Sequence, residues 1–276
     1  MKKLLESWAG RDVALLWTGQ VRSQAGDSVY QIALMWLMLD LTGSKALTGL
    51  AAMSAYLPTL LFGILAGALA DRLNRRIAMV AADAARAALV AVIPLAAWAG
   101  ILEGARGALL LGAVTFAVAC VATLFNPARD ALIPDIAPPG KLTVANGLIQ
   151  TSWQLAMFVG PSFAGLVIPL TGLMYLFRVN AATYLLSMMF ILLLPAAAGR
   201  VRAPAAGGGA SGASGGGVLA GLAFAWRDRR LRWLVVVTAT YNFFLMGLPF
   251  VATPVYVREV LRAGPETYAW LQAVYA

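Results

Sequence analysis

The sequence predicts an all-α integral membrane protein, with about seven complete membrane-spanning helices and the start of an eighth. Three observations predict it. Of its 276 residues, 61% are hydrophobic and only 12% are charged, against roughly 25% charged in a soluble domain. So few polar groups cannot dress a surface in water, whereas a bilayer tolerates such a composition. Apolar runs also recur at the length that crosses a hydrocarbon core, about 20 residues for roughly 30 Å. Finally, the basic residues between those runs are strongly biased to one side.

Taken in order, the first span covers about 11–39 and carries internal charges, and the second, 46–70, contains none. The third, about 77–99, again carries charges, and the fourth, 107–128, is uncharged. The run 142–177 is uncharged but too long for one span, and the turn-like Pro169-Leu170-Thr171-Gly172 divides it. The sixth and seventh spans follow at 179–199 and 233–257, and an eighth begins near Thr267. Between spans six and seven, 195–217 is rich in Gly, Ala and Ser and reads as a flexible coil. The stretch 218–230, apolar first and basic last, reads as a helix lying in the membrane interface. Three segments result: a six-helix transmembrane domain at 1–195, a cytoplasmic linker at 196–231, and the beginning of a second transmembrane domain at 232–276.

With the N-terminus placed in the cytoplasm, fourteen Lys and Arg fall on the cytoplasmic side and four on the other. That is the positive-inside pattern, so the N-terminus is expected inside. Met1-Lys2-Lys3 precedes a retained first span, because the apolar segment is too long for a secretory signal and no small-residue cleavage site follows it. The net charge of +9 is explained by topology and implies no nucleic-acid partner. The chain has no His and a single Cys, Cys120. That argues against metal sites, cofactor chemistry, His-based triads and internal disulfides. Neither a His-Glu-x-x-His, a Gly-x-Ser-x-Gly nor a Walker loop is present, so no catalytic residue and no enzyme activity is expected.

Polar residues inside the spans are the candidate functional groups. Gln20, Gln24, Asp27 and Gln31 fall within a helical arc of roughly 60°. Four hydrogen-bonding side chains on one face of a span need a wet or protein-lined surface. A carboxylate at such depth costs about 2.5–3.5 kcal/mol on insertion scales, which makes Asp27 the candidate for binding a proton or a cationic substrate. A hydrogen-bonded structural Asp is the competing reading. In span five, Asn146, Gln150, Trp153 and Gln154, with Met157, share one side, offering amides to polar groups and Trp and Met to apolar ones. The two stripes are expected to face each other across a central cavity. Amide-mediated helix packing is the alternative for span five. Asp83 and Arg86, three apart on span three, are expected to pair. Gly63 and Gly67 form a Gly-x-x-x-Gly, read as close helix packing.

The segment Gly67-Ala68-Leu69-Ala70-Asp71-Arg72-Leu73-Asn74-Arg75-Arg76 resembles the loop motif of the major facilitator superfamily, Gly-x-x-x-Asp-Arg-x-Gly-Arg-Arg. Asn74 stands where the family usually has Gly, and both tolerate left-handed backbone. Val159-Gly160-Pro161-Ser162-Phe163-Ala164-Gly165 resembles the Gly-Pro…Gly antiporter motif of drug exporters in that family. Asn126-Pro127-Ala128-Arg129-Asp130-Ala131-Leu132-Ile133-Pro134, and Trp17-Thr18-Gly19-Gln20 with Ser23, Gly26 and Asp27, resemble the siderophore-exporter and macrolide-efflux branch. The resemblance covers nearly the whole chain and implies a twelve-helix fold of which this chain looks like a truncated first part.

It further implies a secondary active transporter that exports a small, partly apolar compound, drug- or siderophore-like, by alternating access and proton coupling. Its partners would be that substrate, protons and the lipid bilayer; the Ala-, Gly- and Arg-rich composition points to a bacterial source and so to the plasma membrane. The loop motif, Gly67, Asp71, Arg72, Arg75 and Arg76, would be a cytoplasmic gate, and Gly160, Pro161 and Gly165 a seal or hinge. One departure bears on coupling: many exporters of the family carry an Arg in span four, and 107–128 has none. A non-transporting remnant or membrane scaffold, an importer and a membrane-embedded enzyme are the competing readings.

Overall fold

The computed structural model describes residues 9–70, 72–199, 226–241, 244 and 248–275. Six long helices come first: α1 (Arg11–Thr42), α2 (Lys45–Ala70), α3 (Arg75–Trp98), α4 (Gly104–Ile136), α5 (Leu142–Thr171) and α6 (Leu173–Leu192). Three shorter ones follow among the described residues: α7 (Arg229–Tyr241), α8 (Leu248–Glu259) and α9 (Pro265–Tyr275). Among the described residues five helical segments are long and apolar enough to cross a membrane, namely Lys45–Gly63, Arg75–Trp98, Gly104–Ile136, Leu142–Thr171 and Leu173–Leu192. The 32-residue α1 has the length but carries Arg11, Asp12, Arg22, Asp27 and Asp40, and it is not among the five.

The helix ends have local causes. After α1, Gly43 adopts a left-handed φ of 60° and its N–H returns to the Leu39 carbonyl, so two residues reverse the chain. The long uncharged run breaks at Gly172, where φ is 76°, inside the turn expected from the sequence. Asn74 is not left-handed. It lies at φ −63° in extended backbone and caps α3, its side-chain oxygen accepting from the Ile77 N–H at 3.1 Å. Asn serves here as a helix cap rather than as a glycine substitute.

Residues up to Val201 together with Pro254–Ala276 make one compact unit, and Arg202–Thr253 make another. In the second unit α7 has no buried residue. Asp71, the glycine-rich 207–217, and 218–225 of the expected interfacial helix lie outside the described residues. The expected seventh span, 233–257, is described as α7 and α8, with 242, 243 and 245–247 outside the described residues.

In the first unit α1 is central, packing on α6, α5, α4 and α2, while α3 packs on α4 and α6, and α9 lies on α5 and α1. Two apolar clusters fill this bundle. One is built on Val13, Leu15 and Leu16 of α1, Met79 of α3, Phe125 and Leu132 of α4 and Ile191 of α6. The other is built on 29–38 of α1, Val90 and Ile93 of α3, Leu111 and Val114 of α4, and Leu176 and Phe177 of α6. Between them along α1, α3 and α6 sits a thin polar layer, which includes the buried Gln20, Ser23, Gln24, Asp83, Arg86, Asn180 and Ser187.

Candidate functional site

The polar layer is assembled by close helix approach. On α5 the buried residues Ser152, Ala156, Gly160 and Ala164 recur every fourth position, a strip of small side chains turned to the bundle. A Cβ added at Gly160 would meet Ser28 Cβ at 2.6 Å and the Ala25 carbonyl oxygen at 2.8 Å, both on α1. On the other side of α1, a Cβ at Gly26 would meet Thr183 Oγ1 at 2.1 Å and Asn180 Oδ1 at 2.7 Å of α6. Glycine at these two positions lets α5 and α6 close on α1 beside Asp27. Gly160→Ala is therefore expected to cost about 1–3 kcal/mol through overpacking against backbone. Gly67→Ala, with nothing within 4 Å of the added methyl, is expected to be neutral. Thermal unfolding of the two variants in detergent checks the contrast.

Asp27, on α1, accepts a hydrogen bond from the Tyr184 hydroxyl of α6. Asp83 and Arg86 form the expected pair on α3, with Asp83 fully buried and Arg86 4% exposed. The Arg86 guanidinium lies over two rings, 4.2 Å from the centroid of Phe125 of α4 and 4.5 Å from that of Tyr184. Arg86 also lies within electrostatic reach of Asp27. Among the described residues, Asp27 thus shares its part of the layer with a second carboxylate, Asp83, and the Arg86 guanidinium.

The rest of the α1 stripe is divided among neighbours. Ser152 of α5 donates to Gln24 Oε1 at 2.7 Å, and Arg129 Nη1 of α4 approaches Gln20 Oε1 at 3.5 Å. Gln31 is half-buried. Arg129 lies in the same continuous helix as span four, which runs beyond the expected 128 to Ile136. Arg129 is the first charged residue after 107–128, and it pairs with the neighbouring Asp130 at 2.8 Å. Above the layer, Tyr30 hydrogen-bonds Thr115 at 2.7 Å. Below it, Trp17 Nε1 donates to the Leu148 carbonyl at 2.8 Å.

Two expectations need correction. Asn146, Gln150, Trp153 and Gln154 are exposed, so they do not face the α1 stripe. The small-residue strip takes the α1-facing side of α5 and rotates the polar stripe outward. Among the described residues Gly63 and Gly67 mediate no close packing: an added Cβ at Gly63 would meet only Thr59 of its own helix, and at Gly67 nothing within 4 Å. Two arginines of the loop motif make contacts within this unit. Arg75 pairs with Asp135 at 2.7 Å and donates to the Ala131 carbonyl, fastening α3 to the end of α4. Arg76 donates to the Ile191 and Leu192 carbonyls, capping the end of α6. Arg72 is exposed.

At the opposite end of the bundle, Asp40 pairs with Arg258 at 3.0 Å and Lys45 with Glu259 at 2.7 Å. These two ion pairs of opposite sense clasp the α1–α2 corner to the end of α8. Just inside them Trp36 stacks on the fully buried Tyr268, and Trp270 lies against Gly165. Pro161 is buried one residue after Gly160. Apart from the layer, an apolar groove of about 840 Å³ runs between α2, α3 and α4, lined by Phe62, Leu65, Ile77, half-buried Cys120 and Leu124. It contains none of the candidate site residues.

A bundle of long apolar helices around a buried charged layer is the architecture of a polytopic membrane protein. The chain matches the family model described as transmembrane secretion effector over residues 9–275, and it belongs to that family of the major facilitator superfamily. It is similar to the multidrug efflux pump Tap of Mycobacterium tuberculosis (strain ATCC 25618 / H37Rv), 30% identical over 242 residues, covering 85% of this chain and 56% of the relative. The Tap pump of Mycolicibacterium fortuitum is 28% identical over 255 residues, 90% of this chain and 59% of its own length. Macrolide efflux protein A of Streptococcus pyogenes is 28% identical over 153 residues, 55% of this chain and 36% of its own. The chain spans about half the length of the Tap relatives.

Proposed function

We propose that the protein works as a secondary exporter of small, partly apolar compounds, macrolide-like drugs among them, driven by protons that enter through Asp27. The observation that carries this is the placement of Asp27 in a thin charged layer between two apolar clusters, where an ionisable group is costly without a task. The efflux activity named for the relatives supports the direction of transport and the substrate class. Alternating access is supported by the clasp. Its two ion pairs are exposed, so each contributes only about 0–1 kcal/mol and can open without a large barrier. With the N-terminus in the cytoplasm the clasp is the outer gate, and Arg75 and Arg76 brace the inner end. The protein then works in the bacterial plasma membrane with substrate, protons and lipid as its partners.

The test uses inside-out vesicles from cells expressing the gene at whatever length its reading frame specifies. A labelled macrolide is expected to accumulate when a proton gradient is imposed and to leak out with a protonophore. Accumulation equal to that of vesicles lacking the protein overturns the reading in favour of a membrane scaffold. Gradient-driven accumulation in vesicles of the opposite orientation would make it an importer.

A further inference from the structure

We propose that Tyr184 is the positioning residue of the charged layer, its hydroxyl holding the Asp27 carboxylate and its ring holding Arg86. One side chain of α6 thereby ties a carboxylate of α1 to a guanidinium of α3. Tyr184 is 2% exposed and belongs to the apolar cluster on one side of the layer, so its ring is fixed by packing. Its register is fixed one residue earlier, where Thr183 and Asn180 close on Gly26. The Thr183 hydroxyl donates to the Asn180 carbonyl at 2.7 Å and so turns back onto its own helix. Arg86 is sandwiched between the Tyr184 and Phe125 rings, and Asp83 takes its side-chain nitrogen.

The groups that face Asp27 are few. From α3 they are Asp83 and Arg86, and from α6 Tyr184. On α1 itself Tyr30 is bonded to Thr115 of α4, and Arg129 of α4 contacts Gln20, two turns away from Asp27. The helix α5 has no charged residue, α2 has only Lys45 in its first turn, and α9 has only Glu266 in its first turn. Asp27 therefore depends on Tyr184 for its hydrogen-bond donor and on Arg86 for compensating charge. A hydrogen bond donated to a carboxylate favours its charged form. When Asp27 takes a proton, the Tyr184 hydroxyl loses an anionic acceptor and Arg86 is left to Asp83 alone. Protonation on α1 is in this way felt on α3 and α6.

This inference rests on Asp27 as the proton site but not on transport, and its test needs no substrate. The purified chain in lipid is treated with an apolar carbodiimide, which modifies protonated carboxyls in apolar surroundings, and Asp27 labelling is followed by mass spectrometry across pH. Tyr184→Phe keeps the ring beside Arg86 and removes the donor. Its labelling is expected to persist to a pH about one unit above that of the wild type, the equivalent of one lost charge-assisted bond. Tyr184→Leu, which removes the ring that holds Arg86 beside Asp27 as well, is expected to show a larger displacement and a lower melting temperature. Superimposable profiles for wild type and Tyr184→Phe, both monodisperse, overturn the proposal. Absence of Asp27 labelling at every pH overturns it together with the proton-site reading. A displaced profile in a protein that accumulates no macrolide leaves it standing and removes the transport reading alone.

Discussion

Asp27→Asn is expected to reduce proton-driven macrolide accumulation to that of vesicles lacking the protein, while the protein becomes no less stable. The two halves of that expectation have one cause. An Asn keeps the size of the side chain and its carbonyl still accepts from the Tyr184 hydroxyl, so the α1–α6 contact persists. What disappears is a carboxylate in the middle of the bundle, whose insertion alone costs about 2.5–3.5 kcal/mol. A group that weakens the fold and is retained for activity is the signature of a working site. Melting temperature in detergent and flux in vesicles, measured on the same preparation, separate this from a structural Asp, which would lose stability and flux together. Substrate exchange without a gradient is expected to survive in the variant, since the compound still binds but no longer draws on protons. Unchanged pH dependence of flux would rule out Asp27 as the coupling group.

The helices and the pairing of Asp83 with Arg86 were legible in the sequence because both depend on local spacing. Apolar run length sets the spans, and an i,i+3 separation puts two side chains on one face wherever the helix goes. The turn at Gly172 was legible for the same reason. The partners of the stripes were not. A helical wheel says that Gln20, Gln24 and Asp27 share a face, but not that three different helices meet it. The exposure of Gln150 and Trp153 follows from the competing strip Ser152, Ala156, Gly160 and Ala164, whose four-residue period was present in the sequence. Tyr184 gave no signal, since a lone Tyr in an apolar span reads as core or as an interfacial aromatic. The contact of Arg129 with Gln20 has no signal in the uncharged run, which ends at 128, whereas α4 is 33 residues long, about 50 Å at 1.5 Å per residue, and outlasts the roughly 30 Å hydrocarbon core.

Arg86→Met is expected to be the most destabilising single change in the bundle, by about 3–5 kcal/mol, because it leaves the fully buried Asp83 unpaired and the half-buried Asp27 without its compensating cation. The methionine fills the space between Phe125 and Tyr184, so a lost cavity is not the cause and the effect isolates charge. Adding Asp83→Leu to it is expected to recover most of the stability, since replacing a whole buried pair by apolar side chains of similar volume is often neutral or better. The double variant should then melt near the wild type yet fail to transport, because Asp27 has lost the charge that compensates it. Arg86→Lys tests the geometry rather than the charge. An ammonium cannot lie flat between two rings while pairing with Asp83, so it should retain part of the stability and little of the proton-driven flux. If the double variant stays as unstable as Arg86→Met, the loss does not come from the unpaired Asp83 but from the stacking of Arg86 on its two rings or from the uncompensated Asp27.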